Sequence, residues 1–216
     1  MNPRSSGLLI TFEGTEGAGK STLIRLLADR FRTHPSPFRG KDIVLTREPG
    51  GSPLAEKIRQ LVLHDPMSAR AELFLYEAAR AEHVAKVIQP ALDQAKVVLC
   101  DRFTDSTLAY QAEARGLPWE EVHALNQVAT GGLEPHKTVW LDLPVELGLS
   151  RAQEQTRFEA EGVAFQSRVR AGFEKIFQKN PQRWIRLDAE LNTPQQLLDL
   201  LWEQLMQWNS PRSPLQ

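Results

Sequence analysis

The chain carries a single cysteine, Cys100, so it can form no internal disulfide and is not a stapled secreted scaffold. Long apolar runs are missing too. No stretch approaches the ~18 consecutive apolar residues that cross a bilayer. Neither sign of charge is in excess: Lys and Arg number 26 against 27 Asp and Glu, which argues against a protein that grips nucleic acid by bulk positive charge. The five histidines (34, 64, 83, 123 and 136) are scattered, with no His-Glu-x-x-His or Cys/His spacing to hold a transition metal. The apolar run at 7–12 is shorter than a signal-peptide core, and no cleavage pattern follows it. The expectation is a cytoplasmic protein that engages neither membrane nor nucleic acid.

What is there is an ordinary globular composition. Hydrophobic residues make up 41% and charged residues 25% of 216, enough for one domain with its own core. Short apolar runs alternate with longer helical patterns, the signature of parallel βαβ construction. Strands are predicted at Leu8–Phe12, Asp42–Thr46, Val97–Cys100, Thr138–Asp142 and Trp184–Leu187. Helical periodicity covers Lys20–Phe31, a segment from Pro53 through Val62, about Ser68–Gln89, 103–130 with a break at 116–118, 145–157, 164–179 and Thr193–Trp208. Pro90 should kink or interrupt the third of these. Cys100 reads as a small core residue, since nothing places a base beside it. No repeat or linker divides the chain. The fold class is α/β: one domain over 1–216, a three-layer doubly wound sheet of about five parallel strands, ending in a polar tail, 209–216, that frays.

Gly14-Thr15-Glu16-Gly17-Ala18-Gly19-Lys20-Ser21 matches G-x-x-x-x-G-K-[ST] between a strand and an amphipathic helix. Glycines let backbone N–H groups converge on phosphate oxygens, and the helix adds its positive dipole end. Lys20 supplies a cation to the β- and γ-phosphates, and the Ser21 hydroxyl suits one site on an octahedral Mg²⁺. This predicts a nucleoside triphosphate site. No Asn/Thr-Lys-x-Asp guanine-reading motif follows, and the third strand ends in Asp101-Arg102 rather than in the acidic pair of a motor. An acid followed by an arginine suits a metal's water shell beside a second anion, gripped with bidentate geometry. The second strand ends in Arg47. Ligands of open parallel sheets gather beyond the carboxyl ends of the strands, so Arg47 and Arg102 should converge near the P-loop and bind a phosphate monoester.

Gly14–Ser21 with an acid at 16, then Arg47-Glu48-Pro49-Gly50-Gly51, Tyr76-x-x-x-Arg80, Asp101-Arg102-x-x-x-Ser106 and Tyr110-Gln111 resemble the thymidylate kinase family in order and spacing, over about residues 7–205. The resemblance implies a P-loop nucleoside-monophosphate kinase that moves the γ-phosphate of ATP to dTMP with Mg²⁺, as a homodimer. It implies that the loop from Gly14 through Thr22, with Arg151, holds ATP. Glu16 would accept from the deoxyribose 3′-hydroxyl, while Arg47 and Arg102 hold the dTMP phosphate. Ser21, Glu48 and Asp101 would organise Mg²⁺ and its waters. Tyr76, where the family usually has Phe, would stack on thymine, with Arg80 donating to the base carbonyl and Thr107 to the pyrimidine edge. Ser106 and Gln111 would join the acceptor wall, and Tyr110 would lie under the sugar. Independently, Tyr76 and Arg80 are spaced i, i+4 on one helix face, which suits a flat base bearing a carbonyl acceptor. Phe74 is then the core residue of that helix.

The P-loop has no basic residue among Thr15, Glu16 and Ala18. Family members of this kind rely on arginines in a lid, which maps to about 151–163. The segment departs from the family in being short and in keeping only Arg151 and Arg157. Arg157, in its Phe-Glu context, is expected to be the transition-state arginine beside the catalytic Lys20, Asp101 and Arg102. Alternatives are another P-loop (deoxy)nucleotide kinase, or an NTPase switch module without an acceptor.

Overall fold

The computed structural model describes residues 7–36, 38–151 and 157–208. The expected tail, 209–216, and part of the expected lid, 152–156, lie outside the described residues. Five parallel strands, β1 (Leu8–Glu13), β2 (Ile43–Arg47), β3 (Val97–Asp101), β4 (Lys137–Asp142) and β5 (Trp184–Asp188), form one sheet in the order β2-β3-β1-β4-β5. The helices are α1 (Lys20–Thr33), α2 (Pro53–His64), α3 (Ala69–His83), α4 (Gln89–Asp93), α5 (Thr104–Thr107), α6 (Trp119–Thr130), α7 (Val145–Arg151), α8 (Arg157–Ala160), α9 (Gly162–Lys179) and α10 (Pro194–Gln207).

The central strand explains the three layers. Every residue of β1 is buried, and successive side chains point to opposite faces. Leu8, Ile10 and Phe12 pack with α1 and α10, against Leu23, Leu27, Leu201 and Leu205. Leu9 packs the other way, with Val98 and Cys100, against Val84, Ile88 and Ala91. The α9 face joins through Trp140 and Trp184, which meet Phe165, Val169 and Phe173. Each fully buried Leu or Phe here is worth about 1.5–3 kcal/mol.

The helix that begins at Ala69 is interrupted before Pro90, as expected, by one π turn, Val84–Ile88, and then continues as α4 to Asp93. The wider i→i+5 turn accommodates a proline that has no N–H to donate and would clash in a regular α-helix. One expectation needed correcting: Phe74 is not core but 54% exposed. The inward face of α3 is instead largely polar, with Glu72, Glu77, Arg80 and His83 buried beside Leu73 and Ala79, because that face walls the ligand cleft.

The loop between β1 and α1 is pressed against α7. A Cβ on Gly148 would sit 2.5 Å from the Glu16 carbonyl oxygen, and one on Gly17 would strike the Gly148 carbonyl. Gly148→Ala should therefore destabilise the protein by about 1–3 kcal/mol through overpacking, read as a lower urea midpoint at unchanged m-value.

Candidate active site

The strand register brings the functional ends level. Arg47 pairs with Asp101 across β2–β3, and Phe12 pairs with Asp101 across β1–β3. The ladder continues one bond further, with Glu48 N–H on the Asp101 carbonyl and Arg102 N–H on the Phe12 carbonyl, both at 2.9 Å. Three loops thus open into one cleft of about 510 Å³.

On the P-loop side, α1 starts after Gly19, whose φ of +90° is left-handed, and no side chain caps it. Its first N–H groups are left for an anion. Lys20 is buried with its ammonium on the carbonyls of Thr15 at 2.9 Å and Gly14 at 3.2 Å. Burial, and then the charge of Arg102, lower its pKa. Ser21 Oγ donates to Asp101 Oδ2 at 2.6 Å.

Arg102 crosses from the third loop. Its Nη1 donates to the Gly14 carbonyl at 2.9 Å and Ser106 Oγ at 3.2 Å, and its Nη2 to Glu16 Oε1 at 2.5 Å. Its guanidinium lies 5.2 Å from the Tyr110 ring centroid, a cation–π contact, and the Tyr110 hydroxyl donates to Glu16 at 3.4 Å. Burial opposes ionisation of Glu16, but Arg102 and then Lys20 outweigh it and hold its carboxyl below the ordinary value.

The side of the cleft walled by α3 is a buried ionic network. Arg80 Nε donates to Glu48 Oε2 at 2.8 Å, and Nη1 donates to Thr107 Oγ1 at 2.9 Å, Asn126 Oδ1 at 2.5 Å and the Glu77 carboxylate at 3.2 Å. Nη2 has no hydrogen-bond partner among the described residues. His83 ties Glu48 Oε1, at 3.0 Å, to Thr46 Oγ1, at 2.6 Å. Against the cost of burial, Arg80 first and His83 next hold the Glu48 carboxyl below its ordinary value. Tyr76 and Phe158 add aromatic wall, 6.4 Å between centroids.

The cleft thus joins the P-loop to a second, arginine-lined chamber. The thymidylate kinase family model matches residues 12–199. A thymidylate kinase of Pseudomonas putida (strain GB-1) is 53% identical over 190 residues, covering 85% of this chain and 88% of its own. One from Synechococcus sp. (strain JA-2-3B'a(2-13)) is 49% identical over 209 residues, covering 96% and 97%. The crystal structure of thymidylate kinase from Ehrlichia chaffeensis has a TM-score of 0.75 and 32% identity, covering 93% of this chain and 99% of that one. The chain belongs to the thymidylate kinase family.

As a thymidylate kinase family member it is an ATP-dependent phosphotransferase, and a switch module without an acceptor is not favoured. Glu16, Gly17, Gly19, Lys20, Ser21 and Thr22 line the cleft, as do Arg47, Glu48, Tyr76, Arg80 and the group Asp101, Arg102, Ser106, Thr107, Tyr110 and Gln111. Gly14, Thr15 and Ala18 form the buried side of the loop. Arg151 lines the cleft; Arg157 does not. Arg157 Nε donates to the Val62 carbonyl at 2.7 Å, and its Nη2 lies 2.6 Å from Glu72 Oε2, an ion pair by distance without hydrogen-bond geometry. It borders a separate hollow with His64, Met67, Arg115 and Glu161. Glu72, fully buried, also takes Gln111 Nε2 at 2.7 Å and Arg115 Nη2 at 3.2 Å. Arg47 leans out to Glu56, 3.0 Å away.

Two residues escaped the sequence reading. Arg59 lines the cleft from α2, with Nη1 on the Pro49 carbonyl at 2.9 Å. Burial, and then Arg47, lower its pKa, as expected where cations crowd at an anion site. The signal was its place on the polar side of the helix that directly follows the Arg47–Gly51 loop. Glu13, at the end of β1, is the other.

Glu48 yields a pH prediction. Its folded pKa lies below the ordinary 4.5, so its contribution to stability is full above that value and is lost as pH falls through the lower, folded one. Acid titration of the urea midpoint should show this loss, and Glu48→Gln should flatten the curve while lowering the neutral-pH stability by about 1.5–3 kcal/mol, since Arg80 loses one charged partner and keeps Glu77.

Proposed function

We propose that this chain transfers the γ-phosphate of ATP to dTMP, giving ADP and dTDP for dTTP synthesis, with the two phosphate ends meeting between the P-loop and Arg102. The observation that carries the reading is the placement of Lys20, Arg47, Arg59 and Arg102 around one cleft. An unphosphorylated acceptor would have no use for three arginines beyond the P-loop.

Lys20 leaves the loop carbonyls for the β- and γ-phosphates. The N–H groups of the loop cradle them. Arg102, with Arg47 and Arg59, holds the acceptor phosphate, and Glu16 accepts from the sugar 3′-hydroxyl. Tyr110, under the sugar, leaves no space for a 2′-hydroxyl. Arg80 Nη2 is the open donor edge for the base carbonyl, with Thr107 and Gln111 beside it and Tyr76 against the base plane. Phosphoryl transfer needs charge stabilisation more than covalent chemistry.

The fit to Mg²⁺ is supported by Ser21 Oγ and Asp101 Oδ2, two oxygens 2.6 Å apart, which with nucleotide phosphates and waters make the donor set Mg²⁺ prefers. When bound it would neutralise charge on the β- and γ-phosphates. Glu48 fits this part less well, because Arg80 and His83 already occupy both of its oxygens. For transition-state charge, Arg151 stands at the cleft, whereas Arg157 must first leave Val62 and Glu72.

A homodimer is supported by exposed apolar side chains on neighbouring helices: Leu54 and Leu61 on α2, Phe74 on α3 and Val128 on α6. No helix of the described residues is long and apolar enough to cross a membrane.

The decisive assay is ADP release with a panel of nucleoside monophosphates. Release that depends on dTMP supports the reading; equal release without an acceptor refutes it. Lys20→Ala should lower kcat about 10²–10³-fold, as loss of one preorganised charge does. Arg102→Ala should raise the KM for dTMP about 10–100-fold, more than it raises the KM for ATP. Of Arg151→Ala and Arg157→Ala, the larger loss of kcat, on the order of 10³-fold, identifies the transition-state arginine.

A further inference from the structure

Glu13 closes β1 one residue before the P-loop and is fully buried, yet no step above uses it. Its carboxylate faces the turn that carries Arg102. Oε1 accepts the Phe103 N–H at 2.8 Å, and Oε2 accepts the Ser106 hydroxyl at 2.5 Å. Ser106 Oγ in turn accepts from Arg102 Nη1 at 3.2 Å. This turn needs holding. Arg102 has a left-handed φ of +68°, a conformation that disfavours a non-glycine residue. Phe103, which precedes α5, offers no side-chain cap to it. Backbone strain of this kind persists only where surrounding contacts over-determine it.

We propose that Glu13 is a positioning residue for phosphoryl transfer: from beneath the P-loop it pins the Arg102–Ser106 turn and, through the Ser106 hydroxyl, aims the Arg102 guanidinium at the acceptor phosphate. The inference rests on the reading of Arg102 as the clamp on that phosphate. The ionised carboxylate is the form that does this, since both oxygens then accept. Burial, and then Asp105, push the carboxyl up to about 8, against Ser106, Arg102 and the Phe103 N–H. Lys20 on α1, Arg80 on α3 and Arg183 before β5 also face Glu13 and favour its charge. A folded pKa above the ordinary 4.5 means that the native state binds the proton more tightly. Stability from this group therefore falls as pH rises from 4.5 to about 8.

Glu13→Gln keeps the shape and the acceptor for Phe103, but turns an amide N–H toward Ser106. Well above pH 8, kcat/KM for dTMP should fall about 10–100-fold, the size of one lost hydrogen bond to a charged group. The KM for ATP should not move, and Tm should equal or exceed that of the wild type. The wild-type profile of kcat/KM for dTMP should rise through an ionisation near pH 8 that the variant lacks. In a Ser106→Ala background the same change should add no further loss, because the relay is gone. Additive losses in that cycle, or an unchanged kcat/KM beside a lowered Tm, overturn the proposal. If Glu13→Gln does not fold, Ser106→Ala alone decides: it must lose kcat/KM for dTMP together with the ionisation near pH 8, and retention of either refutes the relay. Failure of the clamp reading is separate and appears as an Arg102→Ala protein with wild-type KM for dTMP.

Discussion

Arg102 donates at once to the Gly14 carbonyl and to the Glu16 carboxylate, and these two bonds tie the loop after β3 to the loop after β1. The rest of the site is built outward from that tie. Glu16 stays ionised because Arg102 and Lys20 face it. Tyr110 keeps its place under the same guanidinium. The P-loop itself is held from behind by Gly148, so one wall of the cleft is fixed on both sides. A phosphate entering between Lys20 and Arg102 meets charges already in position, which spares the reorganisation that water would need.

The acceptor chamber follows a different physical logic. Arg80 is almost completely buried, and two carboxylates surround it. Such a guanidinium is held by direction as well as by charge: Nε and Nη1 are engaged, which leaves one edge free. Lysine, with a single point charge, could not keep that division of donors. The free edge is thus aimed by a rigid polar core rather than by a mobile side chain.

Much of this was legible in the chain. Strand positions came from apolar runs bounded by turn residues, and the structure moves their ends by no more than one residue. The convergence of Arg47, Asp101 and Arg102 followed from a rule about parallel sheets, because strand ends and ligand sites coincide. What stayed hidden depended on how helices rotate about their axes. Arg59 reaches the cleft only because α2 packs its apolar stripe against α3, and Phe74 faces outward because the inner side of α3 is a site wall rather than core. Arg157 rests on Val62 and Glu72, contacts between segments 85 or more residues apart that no local pattern encodes. The π turns before Pro90 and at Leu108–Ala114 likewise answer to tertiary fit.

Glu72 accepts from Gln111 and from Arg115, and forms an ion pair with the side chain that opens α8. One carboxylate thereby makes three distant positions answer to each other. Replacement at any of the four alters the value of replacement at the others, so they form an epistatic set. Drift in this enzyme's lineage would have to move them in concert or leave them alone.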